Sequence, residues 1–326
     1  MHMGDTFDFP AIDSSEVMSV GKHLGTLGWA AGMLVLILDG KTALAGAAVG
    51  VELCLQTLIP SLFPFFVLSA MLTGSLGGNG LLLAGILGGY PVGAGNVVQA
   101  YRAGQISRSQ AERLVVLCNC AGPSFLFGVI TPVLGELKLG LALWGVYLLS
   151  VLALWWVLPK TPPIPPHAVE IHLQTALWGS VRAMAGVCGW VVLFRVVLAI
   201  LDRWILWLLP DWGWVTVYGL LELSNGCLYL GILPPAWRFL TAAGLIGFGG
   251  ICVMLQTAGA VEGIPMKWYF PGKVFQSMVC ILLSACLYPG TLPPTVLAVL
   301  TGITIFLGYL LQKTEKSSGN PRTVGV

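Results

Sequence analysis

The chain has 326 residues, 56% hydrophobic and only 9% charged, with a formal net charge of +2. A soluble domain carries about a quarter charged residues, so this composition excludes a water-facing protein, and the absence of a basic stripe argues against a nucleic-acid partner. Several apolar runs reach the roughly 20 residues that cross a bilayer as a helix, and the alternating decamers of a β-barrel are missing; the expected fold is an all-α, polytopic membrane protein.

Residues 1–23 contain Asp5, Asp8, Asp13 and Glu16, with no Lys or Arg before Lys22. A cleavable signal peptide needs a positive segment ahead of its apolar core, so an uncleaved, disordered acidic tail is expected over 1–23. Apolar segments follow near 24–38, 43–72, 80–101, 111–133, 137–158, 174–201, 213–232, 237–258, 268–288 and 292–311. Segment 43–72 is long for one simple span and is interrupted by "LIPSLFPFF" (58–66), where Pro60 and Pro64 each remove a backbone donor. A helix–turn–helix dipping into the membrane is expected there, with a kinked single span as the alternative. Segment 80–101 carries "GILGGYPVGAGNVVQAYRAGQ" (85–105), an apolar helix broken by Tyr90-Pro91 and flanking glycines. In "SRSQAERL" (107–114), Ser109 and Glu112 have capping-box spacing, which places a helix start near Gln110. That helix is expected to break at Gly122-Pro123.

"LPKTPPIPPH" (158–167) is the clearest boundary, a stiff extended linker preceded by Trp155 and Trp156 as membrane-surface anchors. It divides the chain into a membrane half over 24–158, a linker over 159–173, a second half over 174–311 and a basic tail over 312–326. A linker at the midpoint suggests two repeated halves. The stretch 84–89 reads like 243–248, and both are followed by glycines and then an amide, Gln99 or Gln256. Arg102, Arg108 and Arg113 in one loop region, and Lys313, Lys316 and Arg322 in the tail, should be cytoplasmic.

Asn96, Asn119, Arg182, Arg195, Glu222, Asn225 and Gln256 sit inside apolar segments. A charge at mid-bilayer costs at least about 2.5–3.5 kcal/mol unless it is paired or faces a water-filled cavity. Arg195, isolated in "VVLFRVVLAI", reads either as a ligand for an anionic substrate or as an ion-pair partner of Glu222. Glu222, Ser224 and Asn225 would hold a cation, a proton or a structural hydrogen bond, and Arg182, nearer a segment end, would snorkel. Three Gly/Pro breaks, at 88–95, 122–123 and 247–257, expose backbone groups that lipid cannot satisfy. They suggest re-entrant hairpins and broken helices around a substrate site, with Tyr90, Pro91, Gly93, Asn96, Asn119, Ser124 and Gln256 as its lining. Tyr90 would stack on a flat ligand, and the first break would face residues 247–250. Helix–helix packing through glycine is the plain alternative for each break. The eight cysteines lie in or near apolar stretches without metal spacing and read as packing residues. With no P-loop and no His-Glu-x-x-His, neither an enzyme nor a cofactor nor a metal is expected.

"GGYPVGA" (88–94), "ISRSQAERL" (106–114), "NCAGPSF" (119–125), "ELSNG" (222–226) and "LIPSLFPFFVLS" (58–69) resemble the YlbJ sporulation integral membrane protein family. The likeness covers about residues 43–290. That family is grouped with nucleoside-recognition gate-domain proteins, whose halves are distantly similar to concentrative nucleoside transporters. The resemblance implies a multi-pass protein of the bacterial cell membrane or outer forespore membrane that moves dipicolinate, a flat dianion, during sporulation. A nucleoside or nucleobase carrier and a scaffold for spore-envelope assembly are the other expectations. Membrane lipid, a coupling ion (H+ or Na+) and a second copy of the chain are the expected partners. Two departures from the family pattern are Gly95, where a Lys often follows Gly-Ala, and Cys118-Asn119-Cys120 in place of a more polar run.

Overall fold

The computed structural model describes residues 14–76, 80–164, 172–261 and 263–318. Among these residues the secondary structure is helical throughout: α1 Ser14–Leu38, α2 Gly40–Leu53, α3 Ile59–Leu76, α4 Gly80–Gly88, α5 Val92–Arg102, α6 Arg108–Cys118, α7 Pro123–Phe125, α8 Thr131–Leu134, α9 Leu137–Val157, α10 Leu173–Trp204, α11 Asp211–Leu221, α12 Leu223–Tyr229, α13 Pro235–Phe248, α14 Ile251–Ala260, α15 Tyr269–Leu287 and α16 Pro294–Ser318. Seven helical stretches among the described residues are long and apolar enough to cross a membrane: Gly40–Thr73, Arg108–Leu134, Leu137–Val157, Leu173–Trp204, Pro235–Ala260, Tyr269–Leu287 and Pro294–Lys313. The chain is a multi-pass membrane protein.

The stretch expected to dip and return at 58–66 instead runs straight through. A π-turn, Cys54–Leu58, joins α2 to α3, and Ser61 Oγ donates to the Thr57 carbonyl at 2.6 Å. The π-turn shifts the hydrogen-bond register just ahead of the prolines, so the helix carries past them without breaking. This 34-residue span and the 32-residue α10 each exceed the bilayer core and pack along one another. Glycine makes that packing close, because a Cβ at Gly50 would lie 3.0 Å from Val192 Cα.

Two pairs of short helices fold back as hairpins. In α4/α5, a Cβ at Gly93 would come within 3.2 Å of Gly85 Cα, four residues on the other side of the tip. In α11/α12, a Cβ at Gly226 would overlap the Gly219 backbone in the same way. Three spans separate the first hairpin from the second. An odd number of crossings makes the hairpins enter from opposite faces. Six spans separate the loop after α5 from the end of α16, so those basic ends share a face. Ion pairs hold that face together: Glu112 meets Arg108 at 3.4 Å and Lys267 at 3.0 Å. The opposite face is closed by Arg203–Asp39 at 2.8 Å and by Arg238 donating to the carbonyls of Val133, Gly231 and Leu233.

Three boundary expectations need correction, and one lies partly outside the described residues. Helix α1 begins at Ser14, so residues 14–23 are helical; residues 1–13 lie outside the described part of the chain. The capping box belongs to Ser107 and Gln110, not Ser109 and Glu112, because Glu112 is held by Arg108 and Lys267. The linker is irregular over 159–164, where Gln110 Nε2 donates to the Pro162 and Pro163 carbonyls, while 165–171 lie outside the described residues. Helix α16 continues to Ser318, well into the expected tail, and Arg322 lies outside.

The crossing count is testable with topology reporters. Fusions after residues 105, 160 and 313 should report cytoplasm, and fusions after 136, 209 and 290 the opposite side. A cytoplasmic signal at 136 or 290 would break the arrangement.

Candidate functional site

Four interruptions of helix meet inside the protein. The first is the tip of α4/α5, residues 89–91, where Gly89 has φ +77° and the Tyr90–Pro91 bond is cis. The second separates α6 from α7 at 119–122. These two lie against each other: Tyr90 N donates to the Cys120 carbonyl at 2.8 Å, and a Cβ at Gly89 would sit 2.9 Å from Gly122 N. The third is Glu222, the tip of α11/α12. The fourth is Gly249-Gly250 between α13 and α14, both at positive φ. A Cβ at Gly250 would sit 3.3 Å from Leu223 N, and one at Gly249 would sit 3.9 Å from Tyr90 Cε1. Tyr90 therefore faces residues 247–250 as expected from the sequence, and its ring also neighbours Phe125, with centroids 6.5 Å apart.

Side chains close most of the exposed backbone. Ala121 N donates to the Tyr147 hydroxyl at 2.7 Å. Asn119 Nδ2 donates to Thr257 Oγ1 at 2.7 Å and to the Tyr269 hydroxyl. Lys273 Nζ donates to the Asn119 carbonyl at 2.8 Å and to Gln276 Oε1 at 3.0 Å, and Gln276 Nε2 reaches Ser150 Oγ at 3.3 Å. Lys273 is 1% exposed. Three buried polar atoms in this region have no partner: the Tyr90 hydroxyl, Asn119 Oδ1 and Ser124 Oγ. A buried hydroxyl or amide oxygen left unbonded costs about 1–3 kcal/mol, and such groups persist where a ligand or water completes them.

Of the roles expected for Glu222, the structure shows the structural hydrogen bond. Its carboxylate caps α12, accepting from Ser224 N at 3.1 Å, Asn225 N at 2.7 Å and Asn225 Nδ2 at 2.6 Å. The ion pair with Arg195 does not form. Arg195 lies over the rings of Tyr218 and Tyr229, 5.6 and 5.9 Å from their centroids, and donates to the Tyr229 hydroxyl at 3.3 Å. Its environment is the α2–α10 seam beside Gly46 and Gly50, and it does not line the groove described next. Two aromatic rings stand where the carboxylate was expected, and Arg195 Nε and Nη1 have no hydrogen-bond partner.

A groove leads from the first tip toward the basic face. Its inner part, a cavity of about 180 Å³, is lined by Phe66, Pro91, Asn96, Gln99, Thr175 and Ser180 among others. It continues past Gln99 and Gly179 to a mouth at His172, Trp178 and Arg182. Asn96 Nδ2 donates to Thr73 Oγ1 at 3.0 Å. Gln256 sits on α14 bonded to Cys252 Sγ at 3.2 Å. Gly93 is a packing residue and not a cavity wall, since a Cβ there would overlap the Cys118 carbonyl. Gly95, two residues on, borders the groove with open space where its Cβ would be.

The structure thus brings Tyr90, Asn119 and Ser124 to the breaks, puts Pro91 and Asn96 on the groove, and sets Arg195 apart. Sequence reasoning missed Lys273, Gln276, Tyr269 and Thr257. Lys273 and Gln276 stand three apart in an otherwise apolar run, the same signal that singled out Glu222 and Asn225. Among the described residues no cluster of His, Cys, Asp or Glu could hold a metal, and all eight cysteines are free thiols.

No protein-family model and no solved structure matches the chain. Among curated proteins, it is similar to "Sporulation integral membrane protein YlbJ" of Bacillus subtilis (strain 168), 24% identical over a 299-residue alignment that covers 70% of this chain and 73% of that protein. The chain is accordingly an integral, multi-pass membrane protein with similarity to that sporulation protein.

Proposed function

We propose that the chain is a membrane transporter of a small organic anion, a flat dicarboxylate such as dipicolinate moved across the outer forespore membrane during sporulation. The observation that carries this reading is the meeting of four helix breaks beside three buried polar atoms without partners, with Pro91 of the first break lining a groove. Irregular backbone at membrane depth belongs in a cavity or a protein interior, and transporter sites are commonly built from such broken helices. Two helices of ten or more residues, α5 and α14, begin at these breaks. Their positive ends favour carboxylates. Tyr90 and Phe125 offer aromatic surface for a flat ring, and Arg182 stands at the mouth. The similarity to a sporulation membrane protein supports the setting.

A nucleoside or nucleobase is the second reading. It is favoured by the groove wall, where Asn96, Gln99, Thr175 and Ser180 are hydrogen-bonding but uncharged. A scaffold has no need of a polar interior of this kind.

We also read the two halves as an inverted duplication. Long kinked or straight helix, hairpin, broken span and plain span follow in that order twice: α2–α3, α4/α5, α6–α8, α9, and then α10, α11/α12, α13/α14, α15. This order pairs the tip at 89–91 with Glu222 and the break at 119–122 with Gly249-Gly250. The text echo of 84–89 in 243–248 joins different elements, although both stretches end a helix just before a break.

Two variants test the site in liposomes holding purified protein. Tyr90→Phe removes a hydroxyl that has no partner in the protein, so thermal stability should hold or rise. Losing a hydrogen bond to the substrate should cut dipicolinate affinity about tenfold, which is ~1.4 kcal/mol. Unchanged affinity would remove Tyr90 from the site. Gly95→Leu projects into the open groove and should stop flux in a stable protein, whereas Gly93→Leu should prevent folding by colliding with Cys118. Normal flux in folded Gly95→Leu would show that the groove is not the route.

A further inference from the structure

We propose that Lys273 is the coupling-ion site: its ammonium group fills the cation position at the broken end of α6, and the coupled ion is the proton it carries, not sodium. This rests on the transport reading above and adds the identity of the ion. A half-helix that ends inside a membrane leaves carbonyl oxygens unbonded, and in transporters such ends bind Na+ or H+. Here the chain end of α6 is already served. Lys273 Nζ donates to the carbonyl of Asn119, the residue that closes α6, and to Gln276 Oε1.

The position is closed to water and lacks a counter-ion. Lys273 is 1% exposed, and among the described residues the ion pairs are Arg108–Glu112, Lys267–Glu112 and Arg203–Asp39. The ionisable groups that face it are thiols and phenols: Cys118 and Cys120 from the end of α6 and the break, Cys280 and Tyr269 from α15, and Tyr147 from α9 beside the same break. Charged side chains on the neighbouring helices are engaged elsewhere. Glu112 of α6 holds Arg108 and Lys267, Arg113 donates to the Trp155 carbonyl, Arg238 of α13 binds backbone carbonyls, and Lys313 of α16 lies over Tyr309. An amine in this setting keeps its hydrogen bond to Asn119 whether or not it holds its extra proton, so the proton exchanges without dismantling the break.

The link to the substrate site is short. Asn119 carries the unpartnered Oδ1, and the next residue, Cys120, accepts from the backbone of Tyr90. A change of charge on Nζ is therefore felt at the residue that binds Lys273 and at the hairpin tip one residue on.

The test has two arms. In the first, full-length protein in liposomes should accumulate dipicolinate about tenfold over the ungraded level under a pH gradient of about one unit, the ~1.4 kcal/mol that one coupled proton supplies. A sodium gradient at constant pH should add nothing. Lys273→Arg keeps a positive charge at the carbonyl but holds its proton permanently. It should bind and exchange dipicolinate yet lose gradient-driven accumulation. Accumulation equal to the parent in Lys273→Arg, or accumulation driven by sodium, overturns the proposal. The second arm needs no transport. Unfolding of the parent should be the same in sodium chloride and choline chloride, while Lys273→Ser, with the position emptied, should unfold several degrees earlier in choline and recover in sodium. Sodium-specific stabilisation of the parent overturns the filled cation position, and if Lys273→Ser folds in neither salt, Lys273→Arg decides alone. A parent that moves no dipicolinate under any gradient sinks the transport reading and the coupling role with it; the unfolding arm still distinguishes that failure from a failure of the cation position.

Discussion

Peptide groups released from a helix inside lipid have no water to bond with, and each costs several kcal/mol if left alone. The architecture of this chain follows from how it meets that cost at four places. The tip at 89–91 gives its amide to the break at 119–122, which also receives Tyr147 and Lys273. Glu222 satisfies the start of α12 with its own side chain. Glycine then becomes obligatory wherever two unwound or reversing segments touch. Gly89 against Gly122, Gly219 against Gly226 and Gly250 against Leu223 leave no room for a side chain. The breaks must lie together because each completes another, and a binding region forms where the sum falls short by three polar atoms.

Much of this was legible in the sequence, for reasons that can be traced. Tyr90-Pro91 between glycines cannot continue a helix, so the first break could be placed, and so could its neighbour at Gly122-Pro123. The location of Tyr90 opposite 247–250 followed from the glycine run there. Pro60 and Pro64 misled because prolines report a lost donor and not the remedy. The π-turn that carries the helix past them leaves no mark in composition. The Ser109–Glu112 spacing misled in a similar way. Ser107–Gln110 has the same spacing, and only the tertiary partner Lys267 decides which pair caps the helix.

The charged residues give the sharpest contrast. Arg195 and Glu222 were visible as isolated charges and invited pairing, yet Arg195 lies over two phenol rings and Glu222 caps its own helix start. Lys273 sits in a segment that holds a Gly and a Pro near its beginning and was not singled out. Its burial is a property of α15 packing between α6, α9 and α13, which no single segment reveals. Isolation in an apolar run marks a buried charge but does not name its partner.

Under the duplication proposed above, the odd number of spans between the two hairpins constrains how the halves arose. A half of this protein expressed alone would insert with one fixed orientation, and two such copies would present their tips from the same side. Only a dual-topology ancestor, inserting either way up, could have paired the tips as an antiparallel homodimer. Joining two such copies through the proline linker would settle their relative orientation covalently and relax selection on each half's own charge bias.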